Sequence, residues 1–189
     1  RFGVQFSSFY MPGDFVSHVR MMKTDYEDTG LAQLFGMPFV VLRKPVPFDT
    51  TTLNFNWQVW DTKAFSLYSR STEKIDKKGA DMAIAAVCRF LSRMNVLNYN
   101  VYGGYESTVL IEEELVSLRS TASGLYIPHV KSFDSVERGQ VLADIIDPLT
   151  GVTVAQTEAP EDGIVFFAKD SPLVMENETL FKIVNKLHK

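Results

Sequence analysis

Few side chains in this sequence are of a type that could do chemistry, and their spacing narrows the choice further. Histidine occurs as His18, His129 and His188, and none has a glutamate three residues on. A hydrolytic zinc site needs three protein ligands and one open position for a water that the metal acidifies. These histidines do not supply it: His18 in "VSHVR" reads as a surface or supporting residue, His129 in "IPHVK" as a strand-surface residue, and His188 as part of the tail. The single cysteine, Cys88, cannot form an internal disulfide and falls on the apolar side of a predicted helix, where it packs. Arg20 and Arg70 are the candidate binding residues, because a guanidinium fork grips a carboxylate with two parallel donors; the competing reading of each is a surface ion pair. Glu73 is a candidate acid or base, with a solvated turn beside Lys74 as its competing reading.

The elements that must position these residues change in character along the chain. Residues 1–23 are aromatic and broken by Gly and Pro, which predicts irregular backbone with one short strand. "TDYEDTGLAQLFG" predicts a short helix capped by Thr24 or Asp25 and stopped by Gly36. "PFVVLR" at 38–43 and "AFSLYS" at 64–69 read as buried strands, and "NFNWQVW" alternates like a third. "DKKGADMAIAAVCRFLSRMNV" predicts a helix capped by Asp76 and stopped by Asn95, with Ile84, Val87, Cys88, Leu91 and Met94 on its apolar stripe. This is the order of an α/β sheet domain, expected over residues 1–103.

From residue 104 onward only short strands broken by turns at "SFDS", "DPLTG" and "PEDG" are expected. An internal repeat organises them. Val136, Gly139, Leu142 and Ile145 return as Val174, Asn177, Leu180 and Ile183 with the same step of three. A turn followed by a strand, made twice, predicts a small all-β barrel-sandwich with pseudo-twofold symmetry over 104–189. With "APEDGIV" between the copies, the pattern resembles the lipoyl/biotinyl barrel-sandwich fold. Carriers of that fold hold their cofactor on a lysine at an exposed hairpin tip. The corresponding tip here, "DPLTGVTV", has no lysine, and Lys169 falls in a different turn.

The run from "SGLYIPHV" to "APEDGIVFF" also resembles the C-terminal domain of the succinylglutamate desuccinylase/aspartoacylase family, zinc-dependent hydrolases related to zinc carboxypeptidases. The residues that carry the likeness are Gly124, Tyr126 and Pro128; Val136, Gly139 and Leu142; Asp147, Pro148 and Gly151; and Ala159, Pro160, Asp162, Gly163 and Val165. "SHVRM…TGLAQLFGMPFVV" and "AFSLYSRSTEKID…FLSRMNVL" extend it, more weakly, into the first half. The resemblance implies a partial carboxypeptidase-like α/β sheet domain followed by the barrel-sandwich. It also implies zinc as cofactor, with ligands upstream of Arg1, and an N-acyl amino acid or related small amide as substrate, whose carboxylate Arg20 and then Arg70 would meet. It places Tyr68 where the family's general base is a glutamate. A phenol with an ordinary pKa near 10 cannot take a proton from zinc-bound water at neutral pH as a carboxylate can. Glu73 is therefore the candidate displaced base.

The bulk numbers fit this reading. Of 189 residues 46% are hydrophobic and 22% charged, with a net charge of −4 and scattered cations, so neither nucleic acid nor a membrane is an expected partner. A cytoplasmic location is expected, with homo-oligomeric assembly left open. Because the chain opens at Arg1 in what reads as the middle of a fold, a fragment of a longer hydrolase is expected, inactive alone. The alternative is a non-catalytic binding or assembly module.

Overall fold

The computed structural model describes residues 1–9, 11–100 and 102–185; His188 lies outside them. In chain order the elements are β1 (Phe2–Ser7), β2 (Asp14–Phe15), β3 (His18–Met22), α1 (Thr29–Gln33), β4 (Phe39–Arg43), a 3-10 turn (Pro47–Thr51), α2 (Leu53–Val59), β5 (Lys63–Tyr68), α3 (Lys77–Arg93) and β6 (Thr108–Ile111). A second 3-10 turn (Glu112–Glu114) leads to β7 (Val116–Arg119), β8 (Gly124–Pro128), β9 (Ser135–Val136), β10 (Val141–Ile146), β11 (Thr153–Glu158), β12 (Gly163–Ala168), β13 (Leu173–Val174) and β14 (Thr179–Asn185). They form two compact units. The first comprises Arg1–Phe9, Ser17–Arg70 and Lys74–Glu114; the second comprises Tyr10–Val16, Ser71–Glu73 and Leu115–Lys189. β6 lies beyond the expected boundary at 103 and joins the sheet of the first unit by pairing in parallel with β4.

The first unit is built on a sheet of order β1-β5-β3-β4-β6. One face is apolar. Val19, Met21, Val40, Leu42, Phe65 and Leu67 meet Ala32 and Phe35 from the α1 region and Ala86 and Phe90 from α3. The Phe35 and Phe90 rings stack at 4.3 Å. The other face carries the alternate residues, Gln5, His18, Arg20, Ser66 and Tyr68, and α2 packs on it through Asn54 and Gln58, which are 2% and 1% exposed.

Four expectations for this half are corrected. "NFNWQVW" is helical: Thr52 caps it by accepting from the Phe55 amide at 3.4 Å, and Asn54 and Gln58, one turn apart, point inward. Its buried side is polar, so the alternation of Phe55, Trp57 and Val59 imitated a strand. α1 begins at Asp28, whose Oδ1 accepts from the Leu31 amide at 3.0 Å, because Asp25 has φ 67° and cannot continue a helix. The start of the chain is more regular than expected, with β1, β2 and β3 all within residues 1–23. In α3 the fully buried positions include Ala86, Arg89 and Phe90; of the expected stripe Val87, Leu91 and Met94 pack against the same core, while Ile84 is 59% exposed. Arg89 is tolerated inside because its Nε donates to the Phe35 carbonyl at 2.9 Å, at the end of the α1 segment.

The second unit has two sheets, β11-β10-β8-β13 and β2-β12-β14-β7, with β9 added on β12. They share one apolar core that includes Tyr126, Leu142, Ile145, Val165, Leu180, Phe181 and Ile183. The repeat is visible in space: β9 of the first copy pairs β12, and β13 of the second pairs β8, so each copy lends a strand to the other's sheet. Its turn residues, Gly139 and Asn177, have φ of 81° and 67°, the left-handed conformation those two residue types enter most readily. Gly163 of "APEDG" is required by packing, since a Cβ there would lie 2.6 Å from the Val184 carbonyl oxygen. Among the described residues the two sheets remain separate strand sets and no closed barrel forms.

Candidate functional site

Arg20 is the centre of the most unusual chemistry in the first unit. It sits in the middle of β3, opposite Ser66 of antiparallel β5 and Val41 of parallel β4, and is 7% exposed. Its Nη1 donates to the Tyr68 hydroxyl at 3.2 Å and its Nη2 to Glu112 Oε2 at 2.5 Å. The guanidinium carbon lies 5.4 Å from the Phe9 ring centre and 5.2 Å from that of Tyr68, a cation held between two aromatic faces. His18 stacks on the other neighbour of that set, its ring 5.2 Å from Tyr68 at an interplanar angle of 9°.

The charge network extends outward from Arg20. Glu112 follows β6 directly and accepts from Arg43 Nη1 at 3.3 Å through its second oxygen; Arg43 Nε donates to Asp49 Oδ2 at 2.9 Å. Two cations and two carboxylates thus form a chain Arg20–Glu112–Arg43–Asp49, an arrangement in which no buried charge is left without its opposite. Burial pushes the Asp49 carboxyl up, but the Val46 amide and the Arg43 guanidinium outweigh it and hold the group below its ordinary range. Beside this chain α2 is fixed by amide contacts. Gln58 accepts from the Met22 amide at 2.9 Å and donates to the Met22 carbonyl at 2.8 Å, so its carboxamide acts as an added residue of the ladder at the end of β3. Ser66 Oγ receives both Gln5 Nε2 at 2.8 Å and Asn54 Nδ2 at 3.0 Å.

Of the residues singled out from sequence, Arg20 and Tyr68 come together. Arg70 lies half-buried two residues beyond β5, and Glu73 is exposed and belongs to the second unit. His18 is not a surface residue: the stacking on Tyr68 and its place in the central strand leave it 0% exposed. His129 is exposed on the second unit, where its Nε2 is 2.8 Å from Asp144 Oδ2. Lys169 is 8% exposed and paired with Glu178, which holds the Glu178 carboxyl below its ordinary range. Glu112, Arg43, Asp49, Asn54 and Gln58 escaped notice. Glu112 stands in the run "EEE", which looks like a solvated turn, and the other polar positions would have shown only once α2 was read as a helix.

A metal centre is not supported by these donors. Among the described residues no three His, Cys, Asp or Glu side chains group so as to hold a metal ion. Among the same residues no helix is long and apolar enough to cross a membrane.

No family model matches the sequence, and no curated protein matches it. Solved structures do match, over nearly the whole chain. The product-bound ectoine utilization protein EutE (DoeB) from Ruegeria pomeroyi aligns with a TM-score of 0.73 at 16% identity, over 97% of this chain and 57% of its own. A succinylglutamate desuccinylase/aspartoacylase from Rhodobacter sphaeroides gives 0.76 at 14% identity, over 98% and 58%. An aspartoacylase family protein from Mesorhizobium loti gives 0.69 at 16% identity, over 98% and 57%. The chain therefore has a desuccinylase/aspartoacylase-like fold and spans somewhat more than half the length of the structures it matches.

Proposed function

We propose that this chain is the C-terminal part of a zinc-dependent hydrolase that cleaves an amide bond in an N-acyl amino acid or a related small substrate. The observation that carries the reading is the match of both units, in one alignment over 97% to 98% of the chain, to solved desuccinylase/aspartoacylase structures. In this reading the second unit is a lipoyl-like barrel-sandwich accessory domain that limits substrate size, and the protein works in the cytoplasm on a small molecule. The described residues do not fit a zinc site: the His18 ring is enclosed in the sheet and His129 is committed to Asp144. Zinc would be held by a part of the fold outside these residues, and the chain alone would hydrolyse nothing.

What this chain contributes is an oriented cation. Glu112 and Tyr68 hold the Arg20 guanidinium between two rings, and its Nε, buried and without a partner among the described residues, is the donor left to meet a substrate carboxylate. Arg70 is the second candidate for that contact, and Glu73 the candidate base. Tyr68 serves as a positioning hydroxyl, because its oxygen already accepts from Arg20.

The test is hydrolysis of a panel of N-acyl amino acids by the longer protein, with zinc added or removed. Arg20→Lys should raise KM more than it lowers kcat, since an ammonium keeps the charge and loses the fork. Glu73→Gln should lower kcat; unchanged turnover removes Glu73 from the chemistry. A second reading, a non-catalytic binding or assembly module, is favoured by Tyr68 in place of the family's glutamate. Zinc-loaded, folded protein that turns over no member of the panel would select it.

A further inference from the structure

β2 sits out of order. Its neighbours in the chain, β1 and β3, belong to the sheet of the first unit, but β2 itself pairs antiparallel with β12 of the second. The chain passes into the second unit after Phe9 and returns at Ser17; it passes over again after Arg70 and returns at Lys74. Both excursions are fastened where they land. Asp14 Oδ2 accepts from the Ser132 hydroxyl at 2.6 Å, the Val16 amide donates to the Phe166 carbonyl at 2.9 Å, and the Phe15 ring, 2% exposed, lies 4.5 Å from that of Phe167. The two excursions also hold each other: Asp14 is bridged to Ser71, and Thr72 Oγ1 donates to the Met11 carbonyl at 3.1 Å.

The residues that flank these excursions are the ones around Arg20. Phe9 lies two residues before Met11, Tyr68 three before Ser71, and His18 two after Val16. β1 ends at Ser7, so Phe9 stands outside the ladder, yet its ring lies 4.7 Å from that of Tyr68 and its centre 5.4 Å from the Arg20 guanidinium. A ring outside a strand takes its place from the next point at which the backbone is anchored, and here that anchor is the fastened segment 11–16. From this we infer that segment 11–16 is a positioning strap: by seating it on β12, the second unit sets the Phe9 and Tyr68 rings that hold the Arg20 guanidinium. Resting on the reading of Arg20 as the substrate-facing cation, this gives the second unit a part in substrate binding through the chain itself, with Asp14 and Ser132 as the positioning residues.

Ser132→Ala, which removes the donor to Asp14, tests this in the whole chain. Hydrogen exchange of the amides in 11–16 should speed up about tenfold. The Arg20 Nε–H magnetic resonance, displaced by the two ring faces and assigned by its loss in Arg20→Lys, should move toward that of an exposed arginine, while the Arg89 Nε–H, bonded to the Phe35 carbonyl, stays in place. In the longer, zinc-loaded protein KM should rise at least about threefold with kcat held within about twofold. Thr72→Val, which loosens the other end of the strap, should act in the same direction and serves if Ser132→Ala folds poorly. Gln156→Ala, on the other sheet of the second unit, should change none of these. Unchanged exchange in the strap, or faster exchange with the Arg20 resonance and KM unmoved, would overturn the inference. Absent turnover in wild type would instead remove the hydrolase reading, and exchange and resonance would still decide the strap.

Discussion

In the first unit one face of the sheet buries His18, Arg20, Ser66, Asn54 and Gln58 together, all under 10% exposed, whereas the second unit buries Lys169 and the hydroxyl residues Ser120, Ser132 and Thr157 beside an apolar core whose phenol oxygen belongs to Tyr126. Both have the apolar means to fold, since the first unit has its own aliphatic and aromatic core on the opposite face of the same sheet. Buried ion pairs seldom add stability over a well-packed apolar alternative. The charge and amide groups buried on the α2 face of the first unit are therefore the ones whose positioning role, proposed above for Arg20, is open to test.

The contrast can be broken by substitution. Glu112→Ala removes the carboxylate shared by two arginines and leaves Arg20, with a side chain 8% exposed, an uncompensated cation. A loss of about 3 to 5 kcal/mol is expected in denaturant unfolding, and a smaller one for Glu112→Gln, which keeps an acceptor. A loss under about 1 kcal/mol for the alanine variant would mean that the network is solvated and the contrast false.

In the second unit the cost should follow volume instead. Leu142→Ala and Leu180→Ala occupy matching places in the repeat, both 0% exposed, and should each cost about 3 kcal/mol, equal to within about 1 kcal/mol. Unequal losses would show that the two copies do not share the core evenly. Tyr126→Phe sharpens the point from the other side. The Tyr126 hydroxyl is buried without a partner among the described residues, and burial pushes its pKa up, so deleting it should be neutral or stabilise by about 1 kcal/mol.

The smallest expected effect is in acid. Asp49 is held below its ordinary value of 3.8, so it binds fewer protons folded than unfolded, and its contribution is fully present above that value. As pH falls through the depressed folded value the contribution is lost. Thermal stability of the first unit should therefore drop below about pH 4, and Arg43→Met should flatten that part of the profile.

Much of the second unit was legible because its repeat couples sequence to packing directly: Val, turn, Leu and Ile recur, and in both copies the same positions are buried. In the first unit the strands 39–43 and 63–68 and the helix after Asp76 could be read from apolar runs and helical spacing, although Asp76 stands at the N-cap without making the expected capping hydrogen bond. α2 could not, because hydrophobic periodicity assumes that the apolar side faces inward, and here Leu53 and Val59 lie 49% and 47% exposed while Asn54 and Gln58 are inside. The site was half legible for the same reason. Arg20 and Tyr68 stood out by type, but Glu112 is 92 residues from Arg20 in sequence, and only the parallel register of β3, β4 and β6 brings it alongside.

The central claim, that the oriented Arg20 serves hydrolysis of an N-acyl amino acid, is tested most directly by measuring amino-acid release from such substrates by the longer, zinc-loaded protein, wild type against Arg20→Lys. The account predicts hydrolysis by wild type and a raised KM in the variant with the fold intact by circular dichroism. Equal KM and kcat in the two proteins would contradict it.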